Sequence, residues 1–181
     1  MQPTINNSMT DPLAKGDTIY INQYASFSRN DIVVAKVDWY EHLIIKRVVG
    51  IPGDKIEIRD EITHFAVYVN DTLFYTKEKY GTDETFYKTG SIGYYDNYLN
   101  FFKKEEFRDY IETEDETGKS FIYLEDNEYF LMGDNWGHTT DSIEKGPVRK
   151  NEITGRVDLI VEVNNKNPFV ETWFMLKKIF S

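Results

Sequence analysis

Two side chains carry most of the chemistry that this sequence can offer. One is the amine of Lys46, within Leu43-Ile44-Ile45-Lys46-Arg47-Val48-Val49, whose β-branched residues predict a strand. Strand side chains alternate faces, so Lys46 shares its face with Ile44 and Val48, and Arg47 shares the other with Ile45 and Val49. An amine between two aliphatic neighbours loses water. Desolvation disfavours the ammonium and lowers its pKa from about 10.4. A drop of ~3 units is worth about 4 kcal/mol, a cost with a purpose only if the neutral amine serves as a general base. The plainer reading is a lysine that snorkels its head into water. The other group is the hydroxyl of Ser8, in the irregular stretch Asn6-Asn7-Ser8-Met9-Thr10-Asp11-Pro12-Leu13. It is a turn residue unless a base lies within hydrogen-bond reach, when it becomes a nucleophile. Spacing alone does not place Lys46 beside it.

Other combinations are weaker. The histidines are His42, His64 and His138. A Ser142/His138/Asp134 triad would crowd three partners into one nine-residue loop. His138, Asp134 and Asp141 fit no zinc spacing, so no metal and no cofactor are expected. Pro52-Gly53-Asp54 is a tight turn after the lysine strand, proline presetting φ and glycine allowing it to be positive.

The elements that must position these groups are mostly strands. β patterns run over Thr18–Asn22, Asp31–Val37, Leu43–Val49, Lys55–Arg59, Phe65–Asn70 and Thr72–Tyr75, then Phe121–Leu124, Tyr129–Met132 and Ile153–Val163. Turn residues separate them at Lys15-Gly16-Asp17, Arg29-Asn30-Asp31 and Asn70-Asp71. The class expected is mainly β, a folded antiparallel sheet or small barrel. Residues 1–75 and 121–165 form its core. Residues 76–120, acidic and rich in rings, read as an inserted α+β subdomain, with a short amphipathic helix at Lys103–Glu112. Gly133 to Ser142 reads as a loop. Residues 166–181 read as an amphipathic helix or tail with Phe169, Trp173, Leu176 and Phe180 on one side, packing on the core or dipping into a membrane interface.

The chain has 181 residues, no cysteine and a formal charge of −10. That excludes disulfides, a thiol nucleophile and thiolate metal sites, and argues against nucleic-acid partners, which need cations against phosphates. No apolar run reaches the ~18 residues of a membrane span, so the chain as given is expected to be soluble.

Taken together the motifs resemble the bacterial type I signal peptidases. Ser8-Met9 followed by Leu13 and Gly16-Asp17 is similar to that family's serine box. Asn30-Asp31-Ile32-Val33-Val34 resembles its Gly-Asp-Ile-Val-Val strand. Lys46-Arg47-Val48-Val49-Gly50-Ile51-Pro52-Gly53-Asp54 is similar to its lysine box, and Gly133-Asp134-Asn135 with Thr139, Asp141 and Ser142 to its third signature. The resemblance implies a signal-peptidase-like fold and a serine endopeptidase that removes signal peptides from exported precursors. In it Ser8 is the nucleophile and Lys46 the base. Thr139 orients the lysine, Asp141 supports it, and Asn6 joins the Ser8 amide at the oxyanion. Met9, Leu13, Ile44 and Ile45 line pockets for small substrate residues. It also implies a single-pass anchor upstream, with the catalytic domain outside the membrane of a Gram-positive cell. The differences lie at Pro12, one place later than the family's proline, at Trp136 in place of an arginine, and at Ile143. Ile143 stands where the family has the arginine that partners the aspartate, so Asp141 needs another donor. These differences leave a second class open, a signal-peptidase-like binding or assembly factor. A self-cleaving Ser/Lys repressor relative is disfavoured, because seven residues before Ser8 leave no room for a DNA-binding domain.

Overall fold

The computed structural model describes residues 7–9, 13, 16–60, 64–78, 111–114, 116, 119–135 and 139–161. The chain forms β1 (Thr18–Asn22), β2 (Ile32–Ala35), β3 (Ile44–Gly50), β4 (Lys55–Asp60), β5 (His64–Val69) and β6 (Thr72–Glu78). It continues through β7 (Ile111–Thr113), β8 (Ser120–Tyr123), β9 (Glu128–Met132), β10 (Val148–Arg149) and β11 (Ile153–Val161). One short helix, α1 (Ser142–Lys145), and two 3-10 turns, Asn7–Met9 and Lys150–Glu152, complete the described elements.

The strands make two antiparallel sheets. The first has the order β1-β11-β2-β3-β9-β10 and the second β6-β5-β4-β8-β7. The chain passes from the first to the second between β3 and β4, through the Pro52-Gly53-Asp54 turn. There Gly53 takes φ 84°, which a side chain would resist. The β5–β6 hairpin turns on Asn70 and Asp71, at φ 50° and 63°. Two consecutive positive values are what a two-residue hairpin needs to match strand twist.

Alternation along the strands sorts the core. One buried cluster joins Val49, Phe130 and Met132 of the first sheet to Ile56, Val67, Val69 and Ile122 of the second, with Leu124 just after β8. A second collects Val33, Ala35, Ile44, Val48 and Leu131 on one face of the first sheet. A third, on its other face, is Met9, Leu13, Val34 and Ile45.

Three differences from the sequence reading are local. Ile111 and Glu112, assigned to the end of a helix, begin β7 and pair with Ile122 and Phe121. Their ring-rich surroundings mimic a helical face, but a partner strand decides for three residues. Ser142 ends the expected loop by starting α1, which Asp141 caps through its side chain and Gly146 ends at φ 81°. The strand Val148–Arg149 is too short to show a period. Most of 76–120, and all of 166–181, lie outside the described residues. Strand pairing crosses both limits of the 76–120 stretch, since β6 runs to Glu78 and β7 joins β8.

Candidate active site

Ser8 sits in the 3-10 turn Asn7–Met9, which lies against β3. Apolar burial fixes the turn there: Met9 and Leu13 are 1% and 2% exposed and pack on Val34 and Ile45. The Leu13 amide closes onto the Met9 carbonyl at 3.0 Å. Ser8, itself buried, is thereby turned toward β3.

Lys46 is the third residue of β3, opposite Val33. Its same-face neighbours Ile44 and Val48 join Val33 in a buried cluster, so the amine's stem is enclosed and Lys46 is 1% exposed. Nζ donates to Ser8 Oγ at 2.9 Å and to the Ile45 carbonyl at 3.2 Å. Burial pushes the ammonium down, and the negative charges of Asp141 and Asp134 pull it part of the way back. The result is a pKa of about 8, against an ordinary 10.5. At pH 8 about half of the molecules then hold a neutral amine, roughly 150-fold more than an unshifted lysine.

The other side of the site comes from the end of β9 and the loop after it. Gly133 lies between Ser8 and Thr139. A Cβ there would stand 2.8 Å from the Ser8 carbonyl oxygen and press on the Thr139 side chain, so any residue but glycine must push one of them aside. The Asn135 amide donates to the same Ser8 carbonyl at 2.9 Å. Arg47 holds the loop through Asp134 with bonds of 2.8 and 2.6 Å, and donates to the Asn30 carbonyl. Sequence reasoning assigned Arg47 and Asp134 no such role. Arg47 lies mid-strand in β3 and Asp134 just beyond the end of β9, 87 residues away, so residue order carried no signal for the pair.

Asp141 finds its donors in the backbone. It accepts from Gly133 N at 3.0 Å and from Ile143 N at 3.1 Å. Amide donors therefore stand where a guanidinium was expected, while the Ile143 side chain is fully buried in the inter-sheet core. Thr139 is 8% exposed and its hydroxyl donates to the Thr140 carbonyl at 3.5 Å, beside Gly133 rather than on Lys46. Asn6, Trp136 and His138 lie outside the described residues. Ser142, offered as an alternative nucleophile, is fully buried and accepts from Leu131 N at 2.9 Å, while the Asp134 carboxylate is engaged by Arg47. Among the described residues no group of three His, Cys, Asp or Glu side chains could hold a metal.

The four pocket candidates divide. Met9, Leu13 and Ile45 share a cluster, whereas Ile44 packs on the opposite face of β3. The backbone there has another property. β9 pairs with Arg47, Val48 and Gly50, then turns away at Gly133. Ile44, Ile45 and Lys46 are paired by β2 alone among the described strands. Among the described residues, this strand edge is open and leads up to the Ser8 hydroxyl.

The profile described as "Signal peptidase, peptidase S26" matches residues 2–162. Signal peptidase I of Streptococcus pneumoniae is 28% identical over 160 residues, covering 82% of this chain and 75% of that protein. Signal peptidase I P of Bacillus subtilis subsp. natto is 27% identical over 166 residues, covering 88% and 71%. A crystal structure of a signal peptidase I from Enterococcus faecalis aligns over 74% of this chain and 97% of that one, with a TM-score of 0.44 and 19% identity.

Proposed function

Since the chain belongs to the signal peptidase family, peptidase S26, and is a serine endopeptidase of signal peptidase I type, we propose that it cuts with Ser8 as nucleophile and Lys46 as general base. It removes signal peptides from precursor proteins. The observation that supports the pair is the 2.9 Å contact between an enclosed amine and an enclosed hydroxyl. A neutral Nζ has a lone pair to accept the Ser8 proton; an ammonium has none. Oγ then attacks the scissile carbonyl. The oxyanion is received by the Ser8 amide and by a second donor, a role the family resemblance gives to Asn6. The Lys46 ammonium returns its proton to the leaving amine, and the peptide's acyl half stays on Ser8 as an ester. Neutral again, Lys46 takes a proton from water as the water oxygen attacks the ester, then gives that proton to Ser8 Oγ as the C–O bond breaks, which restores both groups.

The substrate enters as an extended strand along the open edge Ile44–Lys46, where main-chain bonds supply affinity and alternate side chains supply selectivity. Met9, Leu13 and Ile45, which share one buried cluster, are the residues that would line the pockets for its small side chains. Asp141 acts on the lysine through its charge and on the loop by joining Gly133 to the start of α1, while Thr139 packs beside Gly133. Precursors emerging from a membrane place this domain at the outer face of the cell membrane. Among the described residues no helix is long and apolar enough to cross one. The test is cleavage of a signal-peptide substrate by the wild-type chain, Ser8→Ala and Lys46→Met. Cleavage by wild type alone supports the pair; equal rates in all three contradict it.

A further inference from the structure

The open edge of β3 does not stop at Ile44. Its N-terminal continuation is the loop Lys36–Leu43 between β2 and β3, and this loop is anchored at several points. Val37 is 2% exposed in the core, and Trp39 packs against the same cluster. The Lys36 amide donates to the Glu152 carbonyl at 2.8 Å, and its ammonium donates to the carbonyls of Tyr40 and Glu41. Leu43 packs on the Met9, Leu13 and Ile45 cluster, so the loop joins the pocket without a gap. What the loop presents outward is a pair of rings. Tyr40 and His42 stand edge to face, 6.1 Å apart and at 76°, and both are exposed. Glu41, between them, is exposed and has no ion-pair partner among the described residues.

We propose that Tyr40, Glu41 and His42 form an outer substrate subsite that favours a basic side chain on the precursor. The proposal rests on the strand-addition reading above. His42 precedes β3 by two residues, and four residues of chain span at most about 14 Å, so its ring lies within reach of a peptide laid along Ile44–Lys46. An extended peptide whose scissile carbonyl meets Ser8 brings the residues about four to six places upstream of the cut against the two rings. The acyl half runs this way because the small-residue pocket lies on the same side of Lys46. A lysine or arginine there stacks its cation on Tyr40 and neutralises Glu41. An acidic residue meets the unpaired Glu41, and an apolar one gains only ring contact.

Three peptides with one cleavage site, differing only in Lys, Gln or Glu at the fifth residue upstream, test this with the full chain. The expected result is a KM for the Lys peptide about three- to tenfold below that of the Glu peptide, at similar kcat, with the gap narrowing in high salt. Glu41→Gln combined with Tyr40→Ala brings the gap below twofold. Equal KM values for all three peptides, with cleavage intact, would overturn the subsite and leave the Ser8 and Lys46 reading standing. No cleavage of any peptide would instead overturn that reading, and the subsite with it.

Discussion

Two ionisable groups at either end of one stretch of chain keep almost no exposed surface, and they are treated in opposite ways. Asp54, at the turn after β3, is 3% exposed and surrounded by donors. It takes Arg29 Nε at 2.8 Å, Ile51 N at 2.9 Å and Asn70 Nδ2 at 2.9 Å. Burial alone would raise its pKa, but these bonds outweigh burial and lower it, so the carboxylate stays charged. Lys46, eight residues earlier, is 1% exposed with a hydroxyl and a carbonyl for company. Here burial wins and the group moves toward neutrality. A buried charge that is fully paired builds structure; one left short of a counter-ion becomes reactive.

The sharpest break in this contrast comes from removing the reactive pair. Ser8→Ala or Lys46→Met is expected to lower kcat/KM by about 10⁴-fold, read in a peptide cleavage assay. Gly133→Ala is next. Its Cβ must push the Ser8 backbone or Thr139, and a displaced nucleophile costs about 10- to 100-fold in kcat, measured on protein that stays folded by circular dichroism.

Stability separates the two groups further. Asp54→Asn breaks a paired charge and is expected to destabilise by about 2 kcal/mol in urea unfolding, less than a fully buried pair because the Arg29 side chain is 37% exposed. Because its folded pKa lies below the unfolded value, its contribution is present above that value and disappears as pH falls through the folded one. Lys46→Met has the opposite sign. The buried lysine costs about 3 kcal/mol below pH 8, and that cost vanishes as pH rises from about 8 to the unfolded value of 10.5. The methionine variant is therefore expected to be about 2 kcal/mol more stable at pH 7, after losing its bond to Ser8, with the advantage shrinking toward pH 10.5. The smallest effect belongs to Asp141→Asn. Its charge raises Lys46, so its removal moves the midpoint of the pH–rate profile to a lower pH.

Much of this was legible in residue order, and the reasons are local. The strand Thr18–Asn22 shows its alternation, and Asn70-Asp71 announces a hairpin because few residues accept two positive φ angles in succession. The apolar neighbours of Lys46 left two readings open, a dehydrated amine and a snorkelling head, and residue order could not choose between them. Distance through the chain hid the rest. The 2.9 Å contact joins residues 38 apart, and Arg47 meets Asp134 across 87. α1 is bracketed by an aspartate cap before Ser142 and a glycine at 146, but four residues are too few to show a helical period. The donors that replace the arginine at Ile143 are backbone amides, which every residue but proline carries, so no letter could reveal them.

Direct titration of the lysines, with ¹³C at Cε followed by NMR from pH 6 to 12, tests the central claim. One resonance, absent in Lys46→Met, is expected to titrate near pH 8 while the others follow at about 10.5. A Lys46 resonance that titrates with the rest would contradict the account.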